Sequence, residues 1–153
     1  MEVIGRFQDH TYVNWLKAGQ ALLCTAEGLY EFCEQPIKQY HRDLHTKYPR
    51  KPCKGHCQEK HPCTVCSDRR QVWKKDVLSQ LAAQARPCWK NTDMAKYEAD
   101  PWEIAKLCMG RGDDEGRTSA VTTDPIGLLQ LVLNCRLFDN YVSARQSFVK
   151  VRE

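Results

Sequence analysis

Apolar side chains recur at helical spacing over most of the chain, and no run alternates as a half-buried strand does. From Thr11 to Ala26 the positions Tyr12, Trp15, Leu16, Gly19, Leu22, Leu23 and Ala26 form one stripe. This predicts an amphipathic helix with an aromatic-rich face. Gly28 is placed to break it, and Leu29, Tyr30, Phe32 and Cys33 follow as a short apolar turn. Pro36 then opens a second helix from Ile37 to about Tyr48, so the segment 1–48 reads as helix, turn, helix.

Between Tyr48 and Cys66 the periodicity stops. Pro49, Pro52, Gly55 and Pro62 interrupt it, and large apolar side chains are scarce. Helical spacing returns with Trp73, Val77, Leu78 and Leu81, with Ser67 or Asp68 available as a cap, and fades near Pro87. Asp100-Pro101-Trp102-Glu103 joins a capping acid, a proline at the first helical position and an acid three residues on. Trp102, Ala105 and Cys108 therefore begin a short helix, and Gly110 to Gly116 is a polar loop. Asp124-Pro125 opens a helix in which Ile126, Leu128, Leu129, Leu131, Val132, Leu133, Leu137 and Phe138 leave almost no polar face, which predicts burial on all sides. A last helix starts near Ser143 and is cut short at Glu153, with Phe148, Val149 and Arg152 on one side. The predicted class is all-α: one helical bundle built from 1–48 and 71–153, incomplete at its C-terminus, with a stapled loop insertion at 49–70.

The staple is proposed by the cysteines. Four of the nine fall at Cys53, Cys57, Cys63 and Cys66, inside the segment that cannot build a core of its own. Four soft ligands at this spacing suit one tetrahedral Zn²⁺, and metal binding supplies the free energy to order a core-poor loop. His56 and His61 lie inside the same loop as alternative ligands in place of a cysteine. A four-thiolate site has no open coordination position and only Glu59 nearby, which points to a structural metal and away from catalysis. An odd cysteine count also argues against a closed disulfide framework. The remaining Cys24, Cys33, Cys88, Cys108 and Cys135 read as small buried hydrophobes.

Charge is concentrated in the same region. From Lys38 to Lys75, eleven Lys and Arg face Asp43, Glu59 and Asp68, a net of +8 in a chain whose total is +4. Such a field attracts polyanions, RNA or an acidic protein partner. Lys51, Lys54, Lys60, Arg69, Arg70, Lys74 and Lys75 are the candidate contacts. Trp73 and Trp89 flank basic residues and are candidates for stacking on bases, whereas Trp15 and Trp102 are expected in the core. His41 and His45, one helical turn apart, read as surface residues, and Arg111-Gly112-Asp113 as part of a flexible loop. No glycine loop cradles phosphate, no apolar run is long enough for a membrane span, and the segment Met1 to Arg6 carries no secretory signal. The expected compartment is cytosol or nucleus.

Several of these residues also carry a family resemblance. Tyr12-x2-Trp15-x-Lys17-Ala18-Gly19, the spaced cysteines, Trp102-Glu103-x-Ala105-Lys106, Met109-x-Arg111-Gly112 and the helix ending Asn134-Cys135 resemble the vertebrate family of an uncharacterised human X-chromosome open-reading-frame protein, which carries a domain of unknown function. The resemblance runs over nearly the whole chain, with different cysteine spacings in the first half. The first helix also resembles HEPN-like helical domains, which implies a ribonuclease or an RNA-binding dimer. HEPN nucleases place an Arg four to six residues before a His near the start of the last helix; Arg152 stands where that Arg would be, and its His would lie beyond this chain. The expected function is therefore a non-enzymatic, zinc-stabilised helical module that binds RNA or a protein partner, with a possible homodimer through the C-terminal helices. The alternative is part of a HEPN-type, metal-independent ribonuclease.

Overall fold

The computed structural model describes residues 9–53, 62–111 and 116–142. Helix α1 runs unbroken over His10–Lys47, which corrects the expected helix, turn, helix. Asp9 caps its start, accepting the Thr11 N–H at 2.9 Å. Gly28 adopts no positive φ, and a glycine inside a helix costs only about 1 kcal/mol against alanine. Pro36 is dearer at about 3 kcal/mol, because it removes the N–H that would reach the Phe32 carbonyl. Cys33 and Ile37, on either side of it, are fully buried, and so is Leu44 one face further on. Burial of each such side chain contributes roughly 1.5–3 kcal/mol, so the packed face carries α1 through the proline.

The first half of α1 behaves differently from its predicted role. Trp15 is 69% exposed, Leu22 46% and Leu23 55%, and the first buried residue is Ala26. The reason is geometric. At 1.5 Å per residue α1 is about 57 Å long, while the helices that cover it, α3 (Pro101–Lys106) and α4 (Pro125–Asn134), are about 9 and 15 Å long. They reach only its second half, and the aromatic stripe projects past them.

Helix α2 spans Thr64–Ser79 and starts before the expected Ser67 or Asp68 cap, with Cys63 at its N-cap. Beyond its end the chain is stitched to the end of α4. Ala82 N–H donates to the Asn134 carbonyl at 2.8 Å and Arg136 N–H to the Gln80 carbonyl at 2.6 Å, around an isolated antiparallel bridge between Leu81 and Cys135. No strand occurs among the described residues, in keeping with the all-α class.

The two proline-opened helices follow their sequence signatures. Asp100 accepts the Trp102 N–H at 2.8 Å at the start of α3, and Asp124 the Gly127 N–H at 2.9 Å at the start of α4. Helix α4 ends at Asn134, with a 3₁₀ turn at Arg136–Phe138, and is not buried on all sides. Leu128 and Leu131 are in the core, but Ile126 is 61% exposed. No described element covers that side. The helix expected from Ser143 to Glu153, with Phe148, Val149, Val151 and Arg152, lies outside the described residues, and the expected pairing through the C-terminal helices with it.

The core has two lobes, and α3 forms the wall between them. Trp102, Ala105 and Cys108 face a lobe shared with Cys33, Ile37, Leu128, Leu131 and Phe138. Ile104 and Leu107 face a second lobe with Leu44, Trp73, Val77 and Tyr97. With both sides occupied, every residue from Trp102 to Met109 is buried, including Glu103 and Lys106. These two charges satisfy each other at 2.7 Å, and the second Glu103 oxygen accepts the Asp93 N–H, also at 2.7 Å.

Removing one partner of this pair strands the other. Lys106→Met should lower unfolding stability by about 3–5 kcal/mol, whereas Glu103→Leu/Lys106→Met together should cost markedly less than the single change. Urea unfolding of the wild type and the variants measures both.

Candidate metal centre and basic cleft

The metal candidate is built at the N-terminus of α2. Cys63 is the N-cap and Cys66 lies in the first turn, while Cys53 arrives on the extended segment that leaves α1. The three sulfurs lie within 4.8 Å of one another and all three residues are half-buried. A tetrahedral ion with bonds of about 2.3 Å holds its sulfurs about 3.8 Å apart, so a contraction of about 1 Å or less per pair would bring all three onto one ion. The first turn of α2 carries no acidic residue and its cap side chain makes no capping hydrogen bond. These three cysteines form a group that can hold a metal ion. Cys57, His56 and His61 lie outside the described residues.

The other cysteines divide. Cys33, Cys108 and Cys135 are buried as expected, and burial followed by the neighbouring Cys135 pushes the Cys33 thiol up to about 12. Cys24 is instead exposed on the projecting part of α1, where the body of the fold does not reach. Cys88 is half-buried, its thiol donating to Asn91 Oδ1 at 3.1 Å.

Next to the cysteines α2 packs on α1 through a polar aromatic cluster. His41 and His45 meet Trp73 edge-on at centroid distances of 5.6 and 5.0 Å. Their Nε2 atoms contact the carbonyls of Tyr97 at 2.9 Å and Glu98 at 3.1 Å. His41 is thus half-buried and not a surface residue, and Trp73, 1% exposed, is not available for stacking on a base. Arg69 lies over Trp73, with Nε 3.0 Å from a Glu98 oxygen and Nη2 3.4 Å from His45 Nδ1. Its side chain is only 9% exposed, and Nη1 meets no hydrogen-bond partner among the described residues.

Two clefts flank this arginine. One, of about 1180 Å³, runs between Lys47–Cys53 and α2; Arg50, Lys51, Cys66, Arg69 and Glu98 are among its walls. The other, of about 590 Å³, lies between Arg70, Lys74 and the segment from Trp89 to Ala95. Arg70 and Ala95 line both.

Of the sequence-predicted cationic contacts, Lys51, Arg69, Arg70 and Lys74 come together on these clefts. Lys75 is exposed and lines neither, and Lys54 and Lys60 lie outside the described residues. Trp89 is 41% exposed with Lys74 Nζ 4.8 Å from its ring centre, whereas Trp15, expected in the core, is exposed and Trp102 is buried. The periodicity did not single out Lys47 and Arg50, although both belong to the same basic run. Lys47 pairs with Asp76 at 2.8 Å, and Arg50 shares Glu98 with Arg69.

The chain is thus an all-helical protein, among its described residues, with a three-cysteine group beside a basic face. The domain family described as a domain of unknown function, DUF4559, matches residues 6–153, and the chain belongs to it. The chain is similar to the protein called "Uncharacterized protein CXorf38 homolog" of Mus musculus, 29% identical over 162 residues that cover 98% of this chain and 48% of the relative. It thus spans about half the length of the curated relative it matches. No solved structure matches the chain. The likeness to HEPN domains finds no support in these comparisons, and Arg152, on which the nuclease alternative rests, is outside the described residues. Among the described residues, no helix is long and apolar enough to cross a membrane.

His41 makes the fold sensitive to acid. Burial lowers the His41 pKa below its ordinary value of 6.5, against the opposing pull of the Tyr97 carbonyl, so the native state favours neutral imidazole. The stabilisation is complete above about 6.5, the pKa of the unfolded chain, and is lost as pH falls from there through the depressed native value. Denaturant midpoints taken across this range should fall with acidification, and His41→Phe should remove that part of the slope while keeping the edge contact with Trp73.

Proposed function

We propose that the chain is a non-enzymatic helical binding module in which a structural Zn²⁺ on Cys53, Cys63 and Cys66 fixes the start of α2, and α2 in turn presents a basic face to a polyanion. Cys57, by its spacing in the sequence, is the fourth ligand. An all-cysteine donor set selects Zn²⁺ or an iron–sulfur centre over hard cations, and a ligand set closed by four thiolates serves structure. The observation that carries the reading is the convergence of three half-buried sulfurs at the N-terminus of the helix that holds Arg69, Arg70 and Lys74. Helix α2 buries only Trp73 and Val77, so a metal at its first turn adds stability where apolar packing is thin.

The partner of this face is RNA in the first instance, with an acidic protein as the competing occupant. Backbone phosphates engage clustered Lys and Arg without regard to sequence, which matches a surface that has many cations and few fixed hydrogen-bond acceptors. Asp68 and Glu98 are the acids on the larger cleft, and Glu98 is already shared by two arginines.

Elemental analysis of the purified chain should find about one zinc per molecule, and Cys66→Ser should release it with a loss of helicity in circular dichroism. Metal near zero together with unchanged stability in Cys66→Ser would sink the zinc reading. Binding to RNA should weaken between about 50 and about 200 mM salt, by about sevenfold for two phosphates and about fiftyfold for four on a single strand. Fluorescence anisotropy at the two salt concentrations checks this.

A further inference from the structure

The basic face is more than a charged patch, because its two clefts lie side by side with Arg70 and Ala95 as shared walls, and one of them carries an aromatic wall. From Cys66 to Lys74 they follow α2 for about 12 Å, the length of about three stacked nucleotides. Trp89 stands in that wall at 41% exposure, yet the segment beneath it is firmly tied to the body. Cys88 N–H donates to the Leu107 carbonyl at 3.0 Å, and the buried Asn91 amide donates to the carbonyls of Met109 and Gly110 at 3.2 and 2.7 Å. An exposed indole on a rigid base loses little freedom when a ring stacks on it.

We infer that the two adjacent clefts together are a channel for single-stranded RNA, in which a base stacks on Trp89 and successive phosphates meet Lys74 and Arg70. The inference rests on the proposal that the basic face binds RNA, and adds which form of RNA and where. Lys74 now sits over the indole. A base stack is the stronger contact for an exposed tryptophan, so an incoming base takes the ring and frees the ammonium for the adjoining phosphate. Arg69 stands behind this surface, its guanidinium held by Glu98, His45 and Trp73, and adds its positive charge to the larger cleft that its side chain lines. A base is available for stacking only when unpaired, so duplex RNA cannot use Trp89.

The test compares a single-stranded RNA of about eight nucleotides with a duplex of the same sequence, at about 50 and about 200 mM salt, on the whole chain. The single strand should bind at least about tenfold tighter and quench indole fluorescence, with the quench lost in Trp89→Phe. Trp89→Ala should weaken the single strand roughly tenfold to hundredfold without changing the salt dependence, while Trp89→Phe keeps most of the affinity. Arg70→Gln should reduce the salt slope by about one phosphate. Circular dichroism on each variant confirms that the helices are retained. Equal affinity for duplex and single strand, or full affinity in Trp89→Ala, would overturn the channel while leaving RNA binding by the basic face intact. If no RNA binds at low salt and a glutamate-rich peptide does, both the channel and the RNA reading fall.

Discussion

The structure is organised around the burial of α3. A six-residue helix has too few turns to be stable alone, and this one forms because both of its sides are covered. Its aromatic end supplies Trp102 to one lobe, where the indole N–H donates to Thr123 Oγ1 at 3.1 Å, and its other side supplies Ile104 and Leu107 to the lobe beneath α2. Burial leaves Glu103 and Lys106 little access to water, and their mutual contact becomes a condition of the fold. The other α-helices meet it through the two lobes. α1 packs along it, α4 closes the first lobe, and α2 closes the second.

Much of this was legible in the chain. The capping acid, proline and second acid at Asp100-Pro101-x-Glu103 predict α3, and Asp124-Pro125 predicts α4, because local capping chemistry acts within a few residues. Gly28 and Pro36 misled, since their local cost is outweighed by side chains from distant segments that pack on Cys33, Ile37 and Leu44. Trp15 misled in the opposite direction. Its stripe is amphipathic, but periodicity tells which residues share a face and not whether another element is long enough to reach it.

The candidate site divides in the same way. Three cysteines on a short spacing converge because a helix start and a nearby turn are local geometry. The cations were legible as a run, but not their separate fates. Arg69 and Arg70 are neighbours in sequence, and at 100° apart on α2 the first turns toward Trp73 and Glu98 while the second lines both clefts. The role of Trp89 depends on the hydrogen bonds that fix Cys88 and Asn91 to residues about eighteen positions away, a pairing that no local pattern encodes.

The ion pairs beside the clefts bear on how firmly the basic face is committed to its own chain. Arg50 reaches Glu98 at 3.8 Å with its side chain 86% exposed, and Lys47 reaches Asp76 with its side chain 60% exposed. Pairs so open to solvent contribute about 1 kcal/mol or less, and an arriving phosphate can exchange into them with little loss. Arg69 is held differently, buried to all but 9% and stacked on Trp73, so it cannot swing out to meet a ligand. The face therefore combines solvent-exposed cations at the rim with one fixed guanidinium beneath them, which contributes charge without offering a reachable donor. Cys66 stands three residues upstream of Arg69, so whatever fixes the first turn of α2 also fixes where that guanidinium stands.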